Sequence, residues 1–341
     1  MYNLKQIPGD FIVKEVKKLD LKESGKYAYV KITKNGFNTL DIVNKLSKLL
    51  HINKKQIGFA GNKDKNAVTE QYFSLENVGQ NKILSLDLGN NIDIEFLGFC
   101  NEKISLGDLE GNKFEIVIRN LDGNIKLFKV KYFPNYFDEQ RFSKNNVEIG
   151  RDLINKDFKL AVEKINSFIC EEHLKEHLND YVVALKKLSL KLLKIYVHAY
   201  QSYLWNKILA DYLDNNCDIN RKIKYSQGEF VFVNYPDQFL CLELPLIGFH
   251  TDDWKGNQEI KLLINKVMRK EKLDYEDFII KQIPELSAEG DIRKAIVETK
   301  NLVLGKIEED DLNPDMKKVK VSFELNKGSY ATMAIRAIVG N

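Results

Sequence analysis

Alternation of apolar and polar residues predicts strands with one buried face in the first third of the chain. Phe11 and Val13 alternate with Ile12 and Lys14, and the same period of two recurs up to Ile118. A helix is indicated where apolar residues recur every three or four positions after Asn38, a favourable cap. The predicted elements are strands at 10–16, 25–34, 71–75, 92–99 and 113–118, a short apolar run ending at residue 60, and a helix at 39–50.

The pattern changes near residue 152, where long helical periodicities begin. Segments 158–178, 188–213, 262–274 and 287–298 read as helices, and 227–244 returns to strand-like alternation. Segment 319–325 alternates cleanly and predicts a half-buried strand. Sheet-like ends around a helical middle indicate an α+β protein in which 1–151 and 306–341 form one discontinuous domain and 152–305 is inserted.

Composition is that of an ordinary globular protein of 341 residues, long enough for two cores. No apolar run approaches the ~20 residues of a membrane span, and the first residues lack the apolar core of a secretory signal. Four scattered cysteines without a CxxC pair indicate reduced thiols in a cytoplasmic protein and argue against zinc. His173 and His177 have helical spacing but no third ligand, which favours a solvated face over a metal site.

The net charge of +3 is unevenly distributed. Residues 1–65 contain fourteen lysines against six acidic residues, a local charge of +8. A basic region on a nearly neutral protein suits a polyanionic ligand. The alternative is a solvated lysine-rich surface with no ligand.

Asp64 is the leading candidate for chemistry. Gly61 and Asn62 predict a turn, and Asp64 follows between Lys63 and Lys65 before the strand at 71–75. Flanking ammonium groups favour the ionised carboxylate, which can act as a base or a nucleophile. A simple Asx turn at a solvated loop tip explains the same residues without function.

The stretch GNKDKNAVTEQ resembles the signature of the TruD family of tRNA pseudouridine synthases. The matching positions are Gly61, Lys63, Asp64, Ala67, Thr69 and Gln71. By this resemblance Asp64 is the catalytic aspartate, and Lys63 and Gln71 belong to the substrate site.

Further blocks resemble the family in the same order along the chain. DFIVKEV implies a lysine near the active site at Lys14, and GNKFEI implies that Asn112 bonds near the carboxylate and Phe114 stacks on the target base. The alternatives are an exposed strand lysine for Lys14 and a core aromatic for Phe114. AYQSYLWN, on the segment at 188–213, resembles another block.

Two blocks depart from the family pattern. NYFDEQRF supplies Arg141, a candidate phosphate contact, with Asp138 where a glycine is usual; Arg141 could instead be a structural arginine paired with an acidic neighbour. NKGSYAT, near the end, places Tyr330 at the substrate site, while Ala337 stands where the family often has glutamate.

The resemblance implies a pseudouridine synthase fold with an inserted TruD domain, and isomerisation of uridine 13 of tRNA without a cofactor or metal. It implies tRNA as the partner; the sequence indicates a cytoplasmic protein with no membrane span, and no protein partner is implied. Two other classes remain open: a non-catalytic RNA-binding protein on the same scaffold, and a metal-dependent phosphate-processing enzyme. The second would need another acidic ligand near Asp64, where the turn supplies lysines.

Overall fold

The structure is a computed structural model that describes residues 2–340. It divides into two compact units. The first contains the residues up to Lys131 together with those from Glu298 onward, and the second runs from Tyr132 to Val297. These boundaries differ from 151 and 306, the boundaries predicted from the sequence.

Sixteen strands and nine α-helices are present in the described residues. The strands are β1 (Phe11–Val16), β2 (Tyr27–Asn35), β3 (Ile57–Phe59), β4 (Val68–Glu76), β5 (Ile92–Cys100), β6 (Gly111–Leu121), β7 (Lys126–Leu127), β8 (Tyr132–Pro134), β9 (Ile219–Tyr225), β10 (Gly228–Val233), β11 (Glu243–Leu246), β12 (Asp291–Lys294), β13 (Ile296–Glu298), β14 (Lys300–Glu309), β15 (Lys317–Asn326) and β16 (Val339–Gly340). The helices are α1 (Thr39–Leu50), α2 (Gln80–Leu84), α3 (Asn146–Ile154), α4 (Phe158–Ile165), α5 (Phe168–Glu176), α6 (Tyr181–Lys186), α7 (Leu190–Asn216), α8 (Gln258–Glu271) and α9 (Ala331–Ile338).

An eight-stranded sheet organises the first unit. Its order is β14-β15-β6-β1-β4-β2-β5, with β3 added beside β4. Only the β1–β4 pairing within this sheet is parallel. The mixed sheet and the helices around it confirm the predicted α+β class.

Helix α1 covers part of one sheet face. It begins at the Asn38 cap, whose side chain accepts a hydrogen bond from the Asp41 backbone N–H, and ends at His51 in the left-handed conformation. Ile42 and Leu46 on α1 are fully buried in one cluster with residues of β2 and β4. This packing fixes the start of α1 against the strand that follows the Asp64 loop.

Strand order brings distant parts of the sequence together beside β1. Glu15 on β1 lies opposite Asn112 on β6, and Asn112 lies opposite Leu325 on β15. Gly111 requires its lack of a side chain here, because a Cβ atom would lie 2.2 Å from the Leu325 carbonyl oxygen. Strand β15, near the end of the chain, therefore belongs to the same sheet as β1, near its start.

Helix α7 is the centre of the second unit. It is buried on most sides, as its continuous apolar sequence predicts, and Leu204 and Trp205 have no exposed surface. Asn206 donates to the Phe137 carbonyl and accepts from the Phe137 N–H, at 2.8 and 2.9 Å. These bonds hold the NYFDEQRF segment on α7, which explains why the boundary precedes that segment.

Three predictions for the second unit need correction. Segment 158–178 is two helices, α4 and α5, interrupted where Asn166 adopts a φ of 48°. Segment 287–298 forms β12 and β13 instead of a helix, because Gly290 turns the chain at φ 104° and β12 pairs with β11. His173 is buried and lies 3.0 Å from Asp180, so it does not belong to a solvated face.

Candidate active site

Asp64 lies in the loop between β3 and β4, and side-chain hydrogen bonds fix the backbone of that loop. Gln71 Nε2 donates to the Gly61 carbonyl at 2.5 Å. The Thr39 hydroxyl donates to Gln71 Oε1 at 3.0 Å and accepts from the Lys63 N–H at 2.8 Å. Gln71 and Thr39 are both fully buried, so the loop is fastened to β4 and to the first residue of α1.

The Asp64 carboxylate is paired with Lys5. Lys5 Nζ lies 2.7 Å from Asp64 Oδ2, and it also lies 4.3 Å from the centre of the Phe11 ring. The Asp64 side chain is 65% exposed, whereas Lys5 is 16% exposed. A solvent-accessible carboxylate is thus held from one side by a mostly buried cation.

Lys5 is a residue of the candidate site that sequence reasoning missed. It precedes β1 by several residues, and the flanking lysines were expected to provide the cation. The one local signal is conformational: Lys5 has a φ of 58°, a left-handed backbone that is uncommon for a residue with a side chain. Such a conformation directs attention to a residue only once the structure is known.

Lys63 points away from Asp64 and into the sheet. Its Nζ lies 2.5 Å from Asn112 Oδ1 and 3.2 Å from Glu15 Oε1. Glu15 is buried, and its other carboxylate oxygen accepts from the Tyr72 N–H at 3.0 Å. The structure therefore brings together the predicted residues Lys63 and Asn112 and adds Glu15. The adjacent loop residues Lys63 and Asp64 are thus bonded to different partners, Lys63 to the sheet and Asp64 to Lys5.

Phe114 lies on the same strand face as Asn112, two residues further along β6. It is 7% exposed, and its ring is 6.2 Å from that of Phe11 and 5.5 Å from that of Phe323. The three rings form a row across β1, β6 and β15. The predicted stacking of Phe114 on a base stays a prediction.

Lys14 is not brought to Asp64. Its ammonium lies 3.0 Å from Glu115 Oε1, and Lys320 contacts the other oxygen of Glu115 at 2.8 Å. Hydrogen bonds from Lys320 and Lys14 lower the pKa of Glu115 to about 2. Because side chains alternate along a strand, Lys14 occupies the sheet face opposite to Glu15.

The remaining predicted residues occupy different places. Tyr330 is half-buried in the first unit and caps α9. Arg141 lies in the second unit, where its Nε donates to the Ser202 hydroxyl at 3.2 Å and its guanidinium lies 5.6 Å from the Phe137 ring. It borders a cavity of about 330 Å³ in that unit.

Charges of both signs surround the cavity beside Arg141. The charged or titratable lining residues are Arg141, Lys194, His198, Glu285, Glu289 and Asp291. Burial, and then the positive charges of Arg141 and Lys194, lower the pKa of His198. The mixture of carboxylates and cations selects neither an anion nor a cation by charge alone.

No group of three or more His, Cys, Asp and Glu side chains within residues 2–340 has the arrangement of a metal site. All four cysteines are free thiols. Across the same residues, no helix has both the length and the apolar character required to cross a bilayer.

Comparison with known proteins places the chain in a family. The sequence model of tRNA pseudouridine synthase D (TruD) matches residues 2–176, 169–240 and 236–338. The chain is 31% identical to tRNA pseudouridine synthase D of Aquifex aeolicus, over 98% of this chain and 97% of that protein. It is 32% identical to probable tRNA pseudouridine synthase D 2 of Methanocaldococcus jannaschii, over 99% and 92% of the two chains.

A solved structure agrees with the sequence matches. The crystal structure of the putative tRNA pseudouridine synthase D of Methanosarcina mazei superimposes with a TM-score of 0.71 at 25% identity, covering 98% of this chain and 92% of that one. Family, relatives and fold thus converge with the signature around Asp64. The chain belongs to the TruD family of tRNA pseudouridine synthases.

Proposed function

We propose that this enzyme converts uridine 13 of tRNA to pseudouridine, with Asp64 as the catalytic residue and no cofactor. The observation that carries the proposal is the Asp64 carboxylate itself, accessible to a ligand, paired with Lys5 and mounted on a loop fixed by Gln71 and Thr39. Rigid positioning of a reactive group is a large source of rate acceleration.

The reaction rearranges bonds within one nucleoside. The bond between N1 and the ribose C1′ breaks, the uracil ring turns, and a bond forms between C5 and C1′. The proton on C5 is lost, and N1 gains a proton. A carboxylate can assist as a nucleophile or as a base at the ribose.

The other residues have supporting roles in this proposal. Lys63 and Asn112 connect the Asp64 loop to β6, and Gln71 fixes the Gly61 carbonyl of that loop. Phe114 and Tyr330 would contact the extruded uridine, and Arg141 a phosphate of the tRNA. Lys14 lies on the opposite sheet face and takes no part in the chemistry.

The local charge of +8 in residues 1–65 also supports the proposal, because a basic region suits a polyanionic ligand such as RNA. Free thiols and a tRNA substrate are both consistent with action in the cytoplasm.

The function is tested by mapping pseudouridine in tRNA from a host that lacks this protein. Expression of the wild-type chain should restore one modified site, at position 13, and Asp64→Ala should not restore it. Asp108→Ala is a matched control, because Asp108 is also a partly exposed carboxylate paired with a lysine, Lys17, at 2.7 Å. Restoration of a different site would contradict the assigned position, and restoration by Asp64→Ala would contradict the catalytic role.

A further inference from the structure

Lys34 on β2 is a buried ammonium group without a carboxylate partner. Its relative exposure is 1%, which places it among the largest fully buried side chains of the described chain. Its Nζ donates to the Phe37 carbonyl at 2.6 Å and, in a longer contact, to the Asp64 carbonyl at 3.4 Å. Within residues 2–340 no acidic side chain lies within ion-pair distance of it. A buried charge of this kind is costly, and lysines are almost never fully buried unless they are paired.

The cost is visible in the titration of Lys34. Burial lowers its pKa from 10.5 to about 8. Charged groups nearby act on it in both directions: Asp64 and Lys63 from the loop, Asp41 from α1 and Glu15 from β1. The neighbouring strands β4 and β5 place the uncharged residues Thr69 and Ile92 opposite it. At neutral pH Lys34 is therefore still charged in most molecules, although burial disfavours its charged form.

The contacts of Lys34 join two segments that hold the active site. Phe37 directly precedes the Asn38 cap of α1, and α1 begins with Thr39, which bonds to the Lys63 N–H. Asp64 is thus approached from two sides. Lys5 binds its carboxylate, and Lys34 approaches its backbone carbonyl from within the protein.

We infer that Lys34 is a positioning residue for the reaction: its buried ammonium ties the Asp64 backbone to the start of α1 and supplies positive charge behind the carboxylate. This inference rests on the proposed catalytic role of Asp64. A neutral amine carries a lone pair in place of one N–H donor, so deprotonation weakens its attraction to the two carbonyl oxygens. Turnover should therefore depend on the charge state of Lys34, whereas tRNA affinity, which comes mainly from phosphate contacts, should not.

The test compares wild type with Lys34→Met, which keeps the length of the side chain and removes the amine. Single-turnover rates of pseudouridine formation in saturating enzyme, and the tRNA Kd, are measured from about pH 6.5 to 9.5. Because small displacements of a reacting group are costly, Lys34→Met should lower the rate on bound tRNA about ten- to hundredfold. The Kd should stay within about twofold of wild type. The wild-type rate should fall as pH rises through about 8, and this fall should be absent in the variant.

Lys82→Met is the matched control. Lys82 also donates to a backbone carbonyl, that of Leu50, but at the other end of α1 from the Asp64 loop. Its rate and pH profile should equal those of wild type. An unchanged rate in Lys34→Met, or a variant that retains the fall near pH 8, would overturn the inference.

Wild type alone supplies a second test in case Lys34→Met does not fold. A rate on bound tRNA that stays constant between about pH 7 and 9 would overturn the role of Lys34 without any variant. The proposed function fails separately, if the wild-type chain forms no pseudouridine or if Asp64→Asn is fully active. An active wild type and an inactive Asp64→Asn, with Lys34→Met at the wild-type rate, would reject Lys34 alone.

Discussion

Arg119 and Lys34 are both buried cations in the first unit, and their surroundings differ. Arg119 on β6 is bonded to Asp10 at 2.9 Å and to Asp310 and Asp311 at 2.7 Å each. Burial opposes its charge, yet the hydrogen bonds that Arg119 donates to the three carboxylates raise its pKa. Lys34 instead donates to two backbone carbonyl oxygens, and its pKa is lowered. A buried cation surrounded by carboxylates stabilises the fold. A buried cation that contacts only backbone carbonyl groups, beside the Asp64 loop, is better explained by a function.

The positions in the fold agree with this contrast. The Arg119 cluster joins β6 to the start of β1 through Asp10 and to the turn after β14 through Asp310, which also accepts from the Asn120 N–H at 2.8 Å. It therefore connects the N-terminal and C-terminal parts of the discontinuous unit. Lys34 connects only the Asp64 loop and the start of α1, which are close in sequence.

The largest effect on stability is expected from Arg119→Met. The change leaves the buried carboxylates of Asp10 and Asp310 without their cation, which costs about 3–5 kcal/mol in the free energy of unfolding. Urea denaturation of the variant and wild type measures this difference. A loss below about 1 kcal/mol would mean that the Arg119 cluster contributes no more to stability than surface ion pairs do. Arg119 would then not differ from Lys34 as a structural cation.

Lys5→Met is expected to lower turnover by as much as Lys34→Met does. Removing a hydrogen bond to a charged group costs about 1.5–3 kcal/mol, which corresponds to roughly ten- to hundredfold in the rate on bound tRNA. Lys17→Met is the control, because the Lys17–Asp108 pair has the same 2.7 Å separation and a similarly shielded lysine. Equal rates in the two variants would show that Asp64 does not depend on Lys5.

Lys34→Met should increase stability at neutral pH while it lowers turnover. Replacing a buried charge by an apolar side chain of similar length is often neutral or stabilising, here by about 1–3 kcal/mol. The folded-state pKa of about 8 lies below the ordinary 10.5, so between these values the folded wild type binds fewer protons than the unfolded chain. Its stability therefore rises with pH in that window, and the advantage of the variant should shrink. Thermal unfolding at pH 7 and about pH 10 checks this. A variant much less stable than wild type at pH 7 would make Lys34 a structural cation like Arg119.

The smallest effect is expected from Lys14→Met. Its ammonium pairs with Glu115 on the opposite sheet face from Glu15, and Lys320 remains to pair with Glu115. Partly exposed pairs of this kind contribute about 0–1 kcal/mol, so stability and the rate on bound tRNA should change little. A large fall in rate would restore Lys14 to the active site, as the sequence resemblance implied.

The contrast also shows which parts of the molecule the sequence predicts. Short-range patterns predict β1, β2 and α1 closely, because alternation, the Asn38 cap and the helical stripe are local signals. Segment 287–298 was misread as a helix because its apolar spacing fits a helix, whereas Gly290 and pairing with β11 decide the outcome. Tertiary pairing overrides local preference there.

The residues of the candidate site also divide into those that the sequence predicts and those that only the structure shows. The signature residues Lys63, Gln71 and Asn112 could be found because they lie in recognisable sequence blocks. Lys63 lies in the Asp64 loop, and Gln71 and Asn112 are hydrogen-bonded to residues of that loop. Lys5 could not be found by periodicity, since it contacts Asp64 across a sequence separation of 59 residues. Lys34 appears in sequence as one more lysine in a basic region, and only its burial distinguishes it.

The catalytic role of Asp64 is tested most directly with purified enzyme and a tRNA transcript. Asp64→Asn keeps the shape of the side chain and removes its charge, while Asp108→Asn makes the same change in the Lys17–Asp108 pair. With enzyme in excess, we expect Asp64→Asn to bind tRNA normally and form no pseudouridine, and Asp108→Asn to match wild type. Pseudouridine formed by Asp64→Asn at the wild-type rate would contradict the assignment of the chemistry to this carboxylate.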